Sequence, residues 1–207
     1  MYGLNYKILL ITLLVVISSY DCIAQIDSTT RMPSKNNKSF VLYIGGGGSY
    51  CTSSVGHPAV QQTDINRMNP VASFRIMWHP QYRLRIGLET GMVTFYSYSV
   101  VNGNTKGKLK LSAIPVVIVW SMPILKRVNA YAGVGSYFLT THLDYQGKVT
   151  SKSVSLGANF AIDYQQPISK NVRLAIEAKW MDAFVTKNTA LLLQLHMGWR
   201  FLEWRSK

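Results

Sequence analysis

Between residues 82 and 92 one set of alternate side chains reads Tyr82, Leu84, Ile86, Leu88, Thr90 and Met92, and the other reads Arg83, Arg85, Gly87, Glu89 and Gly91. A period of two is the side-chain period of a β-strand. The same two faces recur further on, with Val172, Leu174, Ile176, Ala178 and Trp180 against Arg173, Ala175, Glu177 and Lys179. They recur again as Leu191, Leu193, Leu195, Met197, Trp199 and Phe201 against Gln194, His196, Gly198 and Arg200. Each strand therefore has one continuous apolar face and one that mixes charge with glycine. Small residues beside charged ones suit an interior only just wide enough for side chains, as in a barrel of about eight strands. The unbroken Leu, Ile and Val faces suit hydrocarbon. In water they would form a patch larger than soluble monomers tolerate. Two arrangements compete: a soluble ligand-binding barrel of the lipocalin kind, whose apolar face is the interior, and a β-sandwich, which gives no reason for Arg and Glu on every opposite face.

Eight runs carry this pattern, at about 39–50, 70–79, 82–98, 107–121, 128–141, 150–166, 171–184 and 189–202,. Connections after the second, fourth and sixth runs are short and turn-like, at His79-Pro80-Gln81, 122–127 and 166–170. Those after the first, third and fifth are longer and polar, at 51–69, 99–106 and 141–149, with Cys51 opening the first. Short turns on one side and long loops on the other is the asymmetry of outer-membrane barrels, whose short side is periplasmic. The fold predicted is an all-β, eight-stranded, antiparallel, up-and-down transmembrane barrel with both termini periplasmic. A three-residue turn at Pro80 would make Trp78 and Tyr82 cross-strand neighbours in an aromatic girdle, level with Trp199 and Phe201. The run Ala113 to Trp120 is apolar on both faces. It predicts a dry periplasmic end of the lumen, with Pro115 at a bulge or irregularity.

The first 24 residues read as a secretory leader: Lys7, an apolar run from Ile8 to Ile17, and a small-residue end at Ala24,. Cys22 as an acylated cysteine fits less well, because Ser19-Tyr20-Asp21 precede it,. The expected organisation is a leader at 1–24, a disordered lead-in at 25–38, a barrel at 39–202 and a polar tail at 203–207. One cysteine, Cys51, remains after such a cut, so no intrachain disulfide is available,. The net charge of +13 would suit nucleic acid, but an exported chain meets anionic lipids and sugars first. Outer-membrane lipid and lipopolysaccharide are the partners expected, with the barrel-assembly machinery during insertion and no nucleic acid.

Leu109 to Trp120 with its Ile114-Pro115 step, Tyr131-Ala132-Gly133-Val134-Gly135, and Gly198-Trp199-Arg200-Phe201 resemble the outer-membrane barrel proteins called PorT-like. These are relatives in shape of the OmpA and OmpX barrels. The resemblance implies an integral barrel of the bacterial outer membrane, reached after cleavage of the leader. Phe201 resembles the terminal aromatic read by the assembly machinery, although Leu202 to Lys207 follow it.

Candidate chemistry is sparse. The histidines His57, His79, His142 and His196 show no metal-ligand spacing,. Gly45 to Gly48 lack the lysine and helix of a phosphate loop,. Glycines on a barrel strand instead let an interior side chain approach closely. No cofactor, metal or catalytic residue is expected, and the chain reads as a non-enzyme. A lipid-A-modifying hydrolase is the rival reading, with His142, Asp144 and Ser136 as its best residues. The sharpest constellation is the set of interior charges Arg75, Arg83, Arg85, Glu89, Asp163, Arg173, Glu177, Lys179 and Arg200. Within it Arg75, Arg85, Glu89, Arg173, Glu177 and Arg200 are expected to form a salt-bridged plug, with an ion path as the alternative. Lys106, Lys108 and Lys148, beside Lys110, Lys152 and Lys187, are candidates for contact with an anionic polymer.

Overall fold

The computed structural model describes residues 37–53, 63–80, 82–102, 105–144 and 147–205. The expected leader at 1–24 and the lead-in up to residue 36 lie outside the described residues. The chain runs through β1 (Asn37–Cys51), β2 (Thr63–Asn66), β3 (Met68–His79), β4 (Arg85–Asn102), β5 (Thr105–Pro123), β6 (Val128–Asp144), β7 (Lys148–Pro167), β8 (Val172–Ala183) and β9 (Asn188–Arg205). All pairings are antiparallel. Eight of the nine strands close a ring in the order β1-β3-β4-β5-β6-β7-β8-β9, with β9 returning to β1. Closure removes the unpaired edges that would otherwise invite association. Both ends of the described barrel, Asn37 and Arg205, sit side by side at one rim.

The facing expected from the alternation is the facing found. Leu174, Ile176, Leu193, Leu195 and Met197 point outward and exposed, while Ala175, Glu177, Gln194 and His196 are buried inside. Glycine supplies the interior space. Gly198 lies under the ring of Tyr43, where an added Cβ would stand 2.6 Å from the ring, and Gly45 lies under His196 at 2.7 Å. Tyr43 and His196 are buried and have nowhere to move, so the glycines set where the two rings can lie.

Several expectations need correction. Within the polar stretches expected as loops, residues 99–102 and 105–106 belong to β4 and β5, and 141–144 and 148–149 to β6 and β7, paired out to Asn102/Thr105 and Asp144/Lys148. The short strand β2 pairs with Ser97 to Val100 of β4 and widens this extension. A run of Lys, Ser and Thr satisfies its backbone by pairing whether or not its side chains are apolar, so its composition reads as loop. Cys51 is the buried last residue of β1, opposite Ala190. Trp78 pairs with Ile86, and Tyr82 stands in a wider turn between His79 and Arg85. Among the described residues the register shifts at Phe95 on β4 and at Phe201 on β9. Pro115 stays in register with Tyr137, although the β4–β5 ladder is interrupted opposite it, between Thr90/Val116 and Val93/Ala113. Apolar packing fills the far end of the lumen, with Val71, Phe95, Leu111, Leu139, Met181 and Leu192, whereas the terminus-bearing end holds Ser39, His79, Ser121, Asn129 and Gln165. Finally, β9 continues to Arg205, so most of the segment expected as a polar tail is strand, and Trp204 packs on Phe40 at 5.6 Å.

Substituting Gly198 by alanine should lower the unfolding free energy of the refolded barrel by about 1–3 kcal/mol, the usual cost of overpacking. Gly48 has nothing within 4 Å of the same added atom, and Gly48→Ala should stay within about 0.5 kcal/mol of the parent. Urea titrations of the two variants check this; equal midpoints would refute the packing role given to Gly198.

Candidate functional site

Inward residues at mid-height come from three strands. Arg75 on β3 stands directly opposite Glu89 on β4, and Glu177 and Lys179 share the inward face of β8 because they are two residues apart. The four side chains meet as a closed ring of alternating charge. Arg75 Nε donates to Glu89 Oε2 at 2.6 Å and Arg75 Nη2 to Glu177 Oε2 at 2.7 Å. Lys179 Nζ donates to Glu89 Oε1 at 2.6 Å and reaches Glu177 Oε1 at 2.8 Å. All four residues are 1–3 % exposed. Each carboxylate serves both cations and each cation serves both carboxylates, so the ring is electrically neutral. A buried charge is tolerable when it is paired and hydrogen-bonded in this way.

Polar neighbours hold the ring in place. The Arg75 guanidinium lies 4.4 Å from the centre of the Tyr131 ring, a cation–π contact in a dry setting,. Gln194 accepts from Lys179 at 3.5 Å and donates to Ser73 Oγ at 3.3 Å. His196 Nε2 stands 3.6 Å from Glu177 Oε1. Toward the terminus-bearing end a second cluster forms around Asp163, which accepts from Asn129 Nδ2, the Tyr131 hydroxyl and Gln165 Nε2, each at 2.8 Å. Tyr131 belongs to both groups and ties the carboxylate cluster to the ring.

Of the residues expected in the network, Arg75, Glu89 and Glu177 come together. Arg85, Arg173 and Arg200 do not join them. Arg85 donates to Asn129 Oδ1 at 3.3 Å, Arg173 to Gln165 Oε1 at 3.4 Å, and Arg200 pairs with Glu203 at the rim at 3.4 Å. Lys179 closes the ring in their stead. Its place on the face of Glu177 was a usable signal. Arg83 is exposed beside the turn that precedes β4. Tyr131, Asn129, Gln165 and Gln194 carry no charge and gave no signal beyond their inward parity.

At the far end, Lys108 and Lys148 are exposed and lie in one cross-strand row with Asp144 between them, and Lys110 stands opposite His142. Lys106 is opposite Val101 in the ladder. His142 Nδ1 is 3.1 Å from Thr150 Oγ1. Ser136 is six residues back along β6 from His142, roughly 20 Å at the rise of a strand, so the serine, histidine and aspartate singled out for hydrolysis do not meet.

No family model matches the chain, and no curated protein does either. Among solved structures, a major outer membrane protein from Thermus thermophilus superposes with a TM-score of 0.53 at 14% identity, covering 80% of this chain and 99% of that one. OprG from Pseudomonas aeruginosa gives 0.47 at 14% identity over 81% and 98%, and Neisserial surface protein A gives 0.45 at 17% over 79% and 99%. The fold is that of small outer-membrane β-barrels.

Glu89→Ala leaves Arg75 and Lys179 each one carboxylate short inside the lumen. Breaking a buried pair of this kind costs about 3–5 kcal/mol. Lys148→Ala, on the exposed hairpin, should cost under about 0.5 kcal/mol. Refolding midpoints in urea would show the contrast, and a tolerated Glu89→Ala would contradict the ring's role.

Proposed function

We propose that this chain is an integral protein of the bacterial outer membrane, with a lumen plugged by its own ion-paired side chains and a structural or surface-interaction role rather than an enzymatic one. The observation that carries this is the height of the outward apolar band. On β7 the outward run from Val154 to Tyr164 is about 11 residues long, within the 9–11 that a tilted strand needs to cross a bilayer. That is about 33 Å of strand, or about 25 Å along the membrane normal at the usual tilt, which is the height of the band in such barrels. Above it the outward face turns polar at Lys110, His142, Thr150 and Lys152. Below it Phe40, Trp199, Phe201 and Trp204 cluster at the terminus-bearing rim, where an interfacial girdle belongs.

Orientation follows from the connections. The turns at the terminus-bearing end are short, and the hairpins at the other end run on well past the apolar band, so the termini face the periplasm and the extended sheet faces outward. That sheet is the surface-interaction element. Lys108 and Lys148 offer it cationic contacts for lipopolysaccharide phosphates, although Asp144 lies between them and lowers the field they can project. The expected leader delivers the chain to the envelope. The assignment to the PorT-like group rests on the segments 109–120, 131–135 and 198–201. Plugging rests on the neutral ring at mid-height together with the apolar layer above it, which leave little bore in a ring of eight strands.

The test is membrane integration and its dependence on the outward face. Heated and unheated samples should migrate differently on a denaturing gel, and the protein should stay with the membranes on extraction with carbonate. Ile176→Arg puts a charge on the band and should cost about 2–4 kcal/mol near mid-depth in a lipid refolding titration, while Ile176→Val should cost about 1 kcal/mol or less. Recovery in the detergent-free soluble fraction, or an Ile176→Arg variant as stable as the parent in lipid, would end this reading.

A further inference from the structure

The ring at mid-height is neutral; the layer between it and the terminus-bearing mouth is not. Arg85 on β4, Arg173 on β8 and Arg200 on β9 occupy inward positions there. All three charges act on His79, and Arg85 and Arg200 act on Arg173 as like charges. The buried carboxylate of this layer, Asp163, is already held by Asn129, Tyr131 and Gln165, and among the described residues no arginine pairs with it. Arg85 and Arg173 stop at the amide oxygens of Asn129 and Gln165 at 3.3 and 3.4 Å, long for bonds from a charged donor. Glu203 reaches Arg200 only from the rim, at 3.4 Å with its side chain 38% exposed. The layer therefore keeps a net positive charge and guanidinium N–H groups to spare.

Among the described residues, two buried polar atoms in the same layer lack a hydrogen-bond partner. One is Ser121 Oγ, on a residue 2 % exposed whose cross-strand neighbour is Arg85. The other is Arg200 Nε. A buried donor without a partner costs free energy that a ligand can recover. We infer that the terminus-bearing mouth is a binding site for a phosphate-type oxyanion, held by Arg85, Arg173 and Arg200 with Ser121 as a hydroxyl donor. The donors come from strands on different sides of the mouth, which suits a tetrahedral anion with several oxygens better than a planar carboxylate, and guanidinium groups match phosphate oxygens in pairs. Arg85 and Arg173 are half-buried, so the site opens to the rim. In the plugged reading its inner wall is the ring, which makes it a pocket rather than a passage. The phosphate can come from solution or from a lipid headgroup at the rim.

The experiment is calorimetric titration of the purified protein in maltoside micelles, which contain no phosphate. Sodium phosphate and a short-chain phosphatidylglycerol are the two probes, with sodium chloride as the ionic-strength control. Arg173→Gln combined with Arg200→Gln should weaken binding of the better probe by about tenfold or more, and Ser121→Ala by about threefold. Arg67→Gln, at the opposite end beside Cys51, should leave it unchanged. The tighter of the two probes identifies the source. Should the double arginine variant lose its heat-dependent gel shift, Ser121→Ala and Arg85→Gln decide the matter, since each removes one donor. Binding no stronger than the chloride control for both probes overturns the site, and so does binding by the folded variants equal to that of the parent. The gel shift, scored on the same samples, separates that failure from failure of the barrel reading.

Discussion

The ring formed by Arg75, Glu89, Glu177 and Lys179 is the interaction on which the rest of the interior is arranged. A ring of eight strands encloses too little space for solvated charges, so ionised residues inside it must neutralise one another within hydrogen-bond reach. Alternating two cations with two carboxylates does this with every bond short. The arrangement also binds opposite walls together: Arg75 and Glu89 come from the β3–β4 pair, and Glu177 and Lys179 from β8. Breaking one pair exposes the others, since each member has two partners. The neighbours then follow from geometry. Tyr131 covers the guanidinium face, Gln194 and His196 border Lys179 and Glu177, and glycines at positions such as 45 and 198 make room for the rings of His196 and Tyr43.

The two ends of the lumen differ in kind. Beyond the ring Val93, Phe95, Leu111, Leu139 and Met181 pack together, beside the buried polar Ser49, Ser155 and Asn188. On the terminus side the inward residues include amides, a buried aspartate and three arginines, none of which forms an ion pair with that aspartate among the described residues. The outer face changes on its own schedule, from an aromatic rim through an aliphatic band to a polar extension carried by β4 to β7. In the proposed reading the first change closes the lumen and the second sets the depth at which the barrel sits. Because strand parity separates the two faces, each can vary along the axis without disturbing the other.

Facing was legible in the sequence and height was not. Period two assigns Leu174 outward and Arg173 inward directly, and the same parity places Glu89, Glu177 and Lys179 in the interior. Whether two interior residues meet depends on the stagger between strands, which accumulates around a tilted barrel and leaves no mark in any single strand. Arg85 and Arg173 stand four residues, about 13 Å, before Glu89 and Glu177 on the same strands, but that Arg75 and Lys179 reach both glutamates while Arg200 reaches neither depends on the stagger. The turn after β3 shows the same limit on a smaller scale, since widening it moved Tyr82 out of register with Trp78 and brought Ile86 in. The extended hairpins were hidden for a different reason. Backbone pairing needs no apolar side chains, and segments rich in Lys, Ser and Thr look like loops when hydrophobic alternation is the signal sought.

Planar-bilayer recording on the unmodified protein tests the central claim most directly, because a lumen plugged as proposed, by a neutral ring and an apolar layer, should pass no ions. The account predicts a current indistinguishable from that of the protein-free membrane, at both polarities, from a preparation whose gel shift shows it to be folded. Steady, voltage-independent current steps from the same preparation would contradict it and would make the charged interior a conduction path.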